Sequence, residues 1–294
     1  MTTLAFIGLG HMGGPMAANL VKAGHRVLGF DLVEDLRKEA EATGVVSAAS
    51  ARAAVGEADI VVTMLPAGRH VLSVWDDVLS AARRGALFID SSTIDVESAR
   101  RAHQAAKVAG VASLDAPVSG GVGGAKAATL TFMCGGAEAA FAAAKPILEK
   151  MGKRIVHCGE GGAGQAAKIC NNMILGATMI VTSEAFVLAE KLGLSAQALF
   201  DVASTSSGQS WSLSSYCPVP GPVPTSPANN DYKPGFAAAL MLKDLKLSQE
   251  AALAAGASTP LGAHAAQLYG LFAAAGHGGD DFSGIINFLR GRRA

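Results

Sequence analysis

Short apolar runs alternate with amphipathic stretches through the first half of the chain. Leu4-Ala5-Phe6-Ile7 reads as a buried strand, and helix-like sequence comes next over residues 11–23. Residues 26–30, 59–64 and 86–90 repeat the strand pattern. Between the last two, Val71, Leu72, Trp75, Val78 and Leu79 fall at helical spacing. Residues 111–115, 129–134 and 154–157 continue the series. Alternation of this kind predicts an α/β, Rossmann-type N-terminal domain: a mostly parallel sheet covered by helices on both faces.

Near residue 160 the pattern changes. Glu160-Gly161-Gly162-Ala163-Gly164 is a breaker cluster. Residues 165–192 then read as one long helix. Ile169, Met173, Leu175, Met179, Ile180, Phe186, Val187 and Leu188 spread apolar surface around much of it. Such a helix is buried on several sides, so it is expected to join two domains and to pack against another subunit. The remainder shows no strand pairs, which predicts an all-α C-terminal domain. Residues 216–235 hold six prolines and read as one long loop, a kind usually functional or interfacial. The expected division is residues 1–162 and 163–294.

Composition narrows the function. A chain of 294 residues, 50% apolar and 16% charged, is globular and long enough for about two domains. Lys+Arg and Asp+Glu both number 24, and a neutral chain lacks the basic surface that nucleic acid or an anionic membrane requires. Two long uncharged stretches, residues 204–230 and 251–279, are broken by Pro or Gly and do not read as membrane spans. Cys134, Cys158, Cys170 and Cys217 show no zinc-ligand spacing, and no histidine pair has ligand spacing, so no metal is expected. Free thiols, with no basic or Arg-rich leader, predict a cytoplasmic protein.

The strongest chemical signal is Gly8-Leu9-Gly10-His11-Met12-Gly13, a GxGxxG that comes directly after the first strand and opens the first helix. Gly8 permits the tight turn, Gly10 lets backbone approach a pyrophosphate, and Gly13 lets helix and strand pack closely. The helix N-terminus then holds the phosphates, with His11 and Met12 in the same turn. Asp31 ends the second strand, where a carboxylate accepts the ribose hydroxyls of adenosine and repels a 2′-phosphate. Leu32 and Val33 supply no compensating arginine, so the expected cofactor is NAD. Met64-Leu65-Pro66 and Asp90-Ser91-Ser92-Thr93 end strands at the edge where open α/β sheets bind ligands. The first is a cofactor wall or a simple turn. The second offers hydroxyls to cofactor or substrate, or an N-cap to the helix near Val96.

A second constellation suits a small hydroxy acid. Ser119-Gly120-Gly121 offers a hydroxyl and approachable amides for a carboxylate. Lys168 and Asn172 lie four apart at the start of the long helix, on one face. Lys168 could snorkel to solvent, but its apolar neighbours favour an amine desolvated for proton exchange with an alcohol. Asn172 would hold the carboxylate or orient the lysine. For Lys243-Asp244, spacing alone leaves open both a charged surface of an amphipathic helix and a functional role.

These motifs resemble the β-hydroxyacid dehydrogenase family over nearly the whole chain. Gly8-Leu-Gly-His-Met-Gly-Gly-Pro15-Met16-Ala-Ala-Asn19-Leu20 resembles its N-terminal signature. Asp115-Ala-Pro-Val-Ser119-Gly-Gly121 resembles its substrate loop, and residues 162–172 its catalytic motif. The resemblance implies Lys168 as acid–base residue, with Ser119, Gly120, Gly121 and Asn172 binding substrate. It also implies Leu65, Pro66 and Thr93 on the nicotinamide side, and a closing segment of Phe236 through Leu245 in which Lys243 touches the cofactor. Ser206-Ser-Gly-Gln-Ser-Trp211 and Tyr216-Cys-Pro-Val-Pro-Gly221 are similar to the 3-hydroxyisobutyrate members, with serine-oxidising relatives close by. The activity implied by the resemblance is oxidation of 3-hydroxyisobutyrate with NAD, as in valine breakdown, by a homodimer or homotetramer. A non-catalytic NAD-binding sensor is the rival reading; it would have no need of Lys168, Asn172 and Ser119 together.

Overall fold

A computed structural model describes residues 1–291, which form two compact units, Met1–Lys168 and a second beginning at Ile169. The last three positions of the expected second domain lie outside the described residues. In the first unit, nine strands make one sheet: β1 (Thr3–Ile7), β2 (Arg26–Phe30), β3 (Val46–Ser47), β4 (Ile60–Thr63), β5 (Leu87–Asp90), β6 (Ala112–Asp115), β7 (Val118–Ser119), β8 (Leu130–Gly135) and β9 (Gly152–Gly159). Their order is β3-β2-β1-β4-β5-β6-β8-β7, with β9 on β8. From β3 to β6 all pairs are parallel, whereas β8 runs antiparallel to β6 and β7. The chain winds outward from β1 in one direction, then returns to β4 and winds the other way. The switch point therefore lies between β1 and β4, where this topology opens its ligand crevice.

The apolar runs explain both faces. Along β1, Leu4 and Phe6 join a core with Met16, Leu20, Val62, Ile89 and Phe132, while Ala5 and Ile7 join another with Val61, Trp75, Val78 and Phe88. Alternate side chains point to opposite faces, and helices bury both. These helices are α1 (Gly13–Lys22), α2 (Glu34–Glu41), α3 (Ala51–Glu57), α4 (Gly68–Val78), α5 (Val96–Val108), α6 (Gly121–Ala127) and α7 (Glu138–Leu148).

Helix α8 (Ala163–Lys191) begins in the first unit and continues in the second. By length and composition alone it is apolar enough to cross a membrane. In the second unit it instead supplies core: Met179 and Ile180 pack with Met241, Leu245, Tyr269 and Phe282, and Phe186 packs with Leu213 and Val219. Its outer side leaves Ile174, Val181 and Leu188 exposed, seven residues apart, as one apolar stripe. The unit is completed by α9 (Ala196–Ala203), α10 (Trp211–Ser214), α11 (Ala238–Ala255), α12 (Pro260–Phe272) and α13 (Ile285–Leu289).

The proline-rich segment 216–235 has a short 3-10 turn, Pro227–Asn229, and is tied down by polar contacts. Buried Asp281 accepts the Tyr216 hydroxyl at 2.8 Å and the Gly235 and Phe236 amides at 2.9 and 3.1 Å. Tyr232 donates to the Pro218 carbonyl at 2.9 Å.

Candidate active site

The glycine turn has the shape the sequence implies. Gly8 has φ +95°, and a Cβ on it would strike the Met64 carbonyl of the neighbouring strand end. A Cβ on Gly13 would strike the carbonyl of Gly8, so helix and turn meet backbone to backbone. At Gly10 the same Cβ would meet nothing within 4 Å, leaving room for a pyrophosphate against the main chain. His11 is exposed and Met12 half-buried at the mouth of this turn. In the first turn of α1, Gly14 and Met16 donate to the Gly10 and Met12 carbonyls at 2.9 and 3.2 Å and Pro15 has no amide hydrogen, so the place for phosphate is the turn that precedes them.

Asp31 is welded to that turn. Its Oδ2 accepts the Leu9 amide at 2.8 Å, and Oδ1 accepts the Val33 amide at 2.9 Å. Each oxygen keeps a lone pair for a ribose hydroxyl. Leu32 and Val33 supply no arginine, as the sequence has it, but Arg37 comes close from farther along. This side chain, one turn into α2, donates to the Asp31 carbonyl at 2.5 Å and lies 5.8 Å over the Phe30 ring. An arginine does stand beside Asp31, brought there by the helix rather than by adjacency.

At the end of β4, Leu65 is half-buried and Pro66 exposed. The Leu65 amide donates to Ser92 Oγ at 2.8 Å, and Ser92 donates to Asp90 Oδ1 at 2.6 Å. Thr63 donates to the same oxygen at 2.7 Å. Ser91 and Ser92 are fully buried and Asp90 nearly so, leaving Thr93 as the half-exposed one of the three hydroxyls. The helix near Val96 is capped by Asp95, which accepts the Ser98 amide at 2.6 Å, and not by any of these hydroxyls. Burial pushes the Asp90 carboxyl up to about 6, opposed by the hydrogen bonds of Ser92 and Thr63 and reinforced by nearby Asp115.

Ser119 ends β7 opposite Thr131 of β8. The chain then turns through Gly120 (φ +132°) and Gly121 (φ +60°) into α6, with Ser119 and Gly121 half-buried and Gly120 exposed. Lys168 lies on the second turn of α8 and is only 7% exposed, which removes the snorkelling alternative. Three residues earlier, Gln165 clamps the same helix to the Ser91–Thr93 segment: its amide nitrogen donates to the Ser92 carbonyl at 2.7 Å, and its oxygen accepts the Ile94 amide at 3.1 Å.

In the second unit, Asn172 Nδ2 donates to Asp244 Oδ2 at 2.5 Å, and Asn171 donates to Asn172 Oδ1 at 2.9 Å. Asp244 is 3% exposed, so it is no surface charge. The Lys243 ammonium lies 3.5 Å from Asp244 Oδ1, near enough for ion pairing and long for a hydrogen bond. Phe236 is held by other partners, with its amide on Asp281 and its ring edge-on to Phe282 at 5.8 Å.

Sequence reasoning missed Asp244, Gln165 and the side chains around Asp115. The signals were faint. Asp244 stood beside a singled-out lysine, and Asp115 opened a motif quoted for its serine. All four cysteines are free, with Cys134 and Cys217 buried, Cys158 half-buried and Cys170 exposed. Among the described residues no cluster of three or more His, Cys, Asp or Glu could hold a metal ion.

Residues 3–159 match the NAD-binding domain of 6-phosphogluconate dehydrogenase, and residues 162–289 match the family described as NAD-binding of NADP-dependent 3-hydroxyisobutyrate dehydrogenase. A probable 3-hydroxyisobutyrate dehydrogenase of Mycobacterium tuberculosis is 59% identical over 99% of both chains. The NAD-dependent L-serine dehydrogenase of Pseudomonas aeruginosa is 49% identical over 96% of both. The solved 3-hydroxyisobutyrate dehydrogenase of Mycobacterium tuberculosis with L-serine superposes with a TM-score of 0.96, covering 99% of each chain. The chain belongs to the 3-hydroxyisobutyrate dehydrogenase family of β-hydroxyacid dehydrogenases and is an NAD-dependent hydroxyacid dehydrogenase.

Proposed function

We propose that this enzyme oxidises 3-hydroxyisobutyrate to methylmalonate semialdehyde as a step of valine breakdown. The observation that carries the reading is the burial of Lys168 on a helix start tied to Ser92, beside the strand ends where such sheets hold ligands. Gly8, Gly10, His11, Met12 and Gly13 would hold the pyrophosphate and Asp31 the adenosine ribose. Leu65, Pro66 and Thr93 would line the nicotinamide side, and Phe236 and Lys243 would add contacts to the cofactor. The carboxylate of Asp31 favours NAD over NADP, because a 2′-phosphate would meet its charge.

NAD, when bound, supplies the acceptor for the hydride that leaves the alcohol carbon. The residues do the rest. Ser119, with the amides of Gly120 and Gly121, binds the substrate carboxylate together with Asn172. Lys168 takes the hydroxyl proton on Nζ as the C–H bond breaks, and returns it in the reverse direction. A positioned amine held away from bulk water is suited to such proton exchange.

A second reading, oxidation of L-serine, is favoured by the relative named for that activity and by the solved relative with L-serine. Absorbance at 340 nm with 3-hydroxyisobutyrate, serine, 3-hydroxypropionate, glycerate and threonine separates the two. The expected result is the highest kcat/KM for 3-hydroxyisobutyrate; a higher value for serine reassigns the substrate. If none is turned over while NAD still binds, the substrate is a hydroxy acid outside this panel.

The domains of this reading are residues 1–162 for the nucleotide and 163–294 for completing the substrate site and assembly. The stripe of Ile174, Val181 and Leu188 supports a homodimer or homotetramer, since apolar side chains in a row on a helix are a self-association surface; the free thiols support a cytoplasmic setting.

A further inference from the structure

The carboxylate of Asp115 joins three pieces of the chain that lie far apart in sequence. It stands at the end of β6 and is 2% exposed. Its Oδ1 accepts the Gly162 amide at 2.7 Å and lies 2.8 Å from His103 Nε2 on α5. Its Oδ2 accepts the Gln165 amide at 2.9 Å. The other ring nitrogen of His103 lies 2.7 Å from Ser113 Oγ. Because the carboxylate accepts, Nε2 donates; in the neutral ring, Ser113 then donates to Nδ1.

The two amides that Asp115 holds belong to the start of α8, where helix amides have no partners of their own. A buried acceptor there satisfies them and complements the positive helix end. Steric fit fixes the same turn from other sides. A Cβ on Gly161 would lie 2.7 Å from the His103 ring. A Cβ on Gly135 would lie 2.5 Å from Asp115 Oδ1 and 2.6 Å from the Gly164 amide. Lys168 comes three residues after Gln165, less than one helical turn. Any shift or fraying of this first turn carries Lys168 with it.

We infer that Asp115, held in place by His103, is a positioning residue for the reaction: it anchors the first turn of α8 and so sets where Lys168 presents its amine. Neither side chain needs to touch substrate or cofactor to do this. The inference rests on the reading of Lys168 as the acid–base group. It predicts a cost in turnover with little cost in NAD binding, because the glycine turn and Asp31 are built from other strands.

The test uses full-length Asp115→Asn, His103→Leu, His103→Gln and, separately, Lys168→Ala. Hydrogen exchange over residues 160–168, the NAD dissociation constant, and kcat and KM for the hydroxy acid are measured on each. Asp115→Asn and His103→Leu are expected to speed exchange in that segment and lower kcat about 10–100-fold, as expected for displaced reacting groups. NAD affinity should stay within about twofold, since its contacts lie elsewhere. His103→Gln, which keeps an N–H for the carboxylate, should recover most of the turnover lost in His103→Leu. Should Asp115→Asn fold poorly, the His103 pair carries the test, since it removes only the outer bond.

Faster exchange with kcat at its parental value would overturn the inference, and so would unchanged exchange. Lys168→Ala with near-parental turnover would instead reject the acid–base reading itself. An inactive Lys168→Ala beside fully active Asp115 and His103 variants rejects only the anchor.

Discussion

Asn172 donates to Asp244 at 2.5 Å, and both side chains are almost completely buried. The amide is therefore oriented by a carboxylate. A hydrogen bond to a charged group is worth about 1.5–3 kcal/mol. Asp244→Ala should lower stability by roughly that amount in urea unfolding. If Asn172 grips the substrate carboxylate, KM for the hydroxy acid should rise in the same variant while the NAD dissociation constant holds. A stable variant with unchanged KM would leave the pair no part in the site.

Lys168→Ala should reduce turnover by about 10²–10⁴-fold, the range for a positioned acid–base group. NAD affinity measured by titration should barely move. Turnover near the parental value would reject the role.

If Asp31 holds the adenosine ribose, Asp31 and Arg37 should make opposed contributions to nucleotide choice. Asp31→Ala removes the carboxylate that would repel a 2′-phosphate and leaves the guanidinium that lies beside it. NAD should bind at least about tenfold more weakly, the equivalent of one good hydrogen bond, and NADP use should rise relative to NAD. Adding Arg37→Ala should abolish that gain. An unchanged NAD-to-NADP ratio of kcat/KM in Asp31→Ala would count against the assignment.

Asp90 should make stability depend on pH. Its carboxyl is raised by burial from the ordinary carboxylate value to about 6, so folding favours the protonated form. The stability this gives is complete below about pH 4 and is lost as pH rises from there through about 6. At neutral pH the loss is about 3 kcal/mol. Asp90→Asn keeps an acceptor for Thr63 and Ser92 and cannot ionise. Urea midpoints of the parent should fall between about pH 4 and 6.5, and those of the variant should fall less. Parallel curves would show that Asp90 does not titrate in that window.

Much of this was readable in residue order, and the remainder fails for identifiable reasons. Strands β1, β2, β4 and β5 are continuous apolar runs because both faces of a parallel sheet are covered. The glycine turn was legible because each glycine answers a local steric demand, and Lys168 because a lysine amid alanines and isoleucine is anomalous. The strands Val46–Ser47 and Val118–Ser119 are two residues each and carry no period to detect. Arg37 reaches Asp31 only once α2 has formed. His103 meets Asp115, and Asp244 meets Asn172, through contacts between separate elements, which a pattern of polar and apolar positions does not encode. For Asp244 a surface charge run stayed open as an alternative, because charge suggests solvent unless a buried partner is known.

The crowding around the glycine turn has a consequence for laboratory evolution. At residue 8 the obstacle to a methyl group is an oxygen of another strand's main chain; at residue 13 it is an oxygen of the turn itself. Neither can step aside by changing rotamer, so alanine at either place should appear as lost soluble yield. Residue 10 opens onto space, and alanine there should express normally yet lose the nucleotide. Yield and affinity measured across these three positions would thus score architecture and recognition as separate traits within six residues.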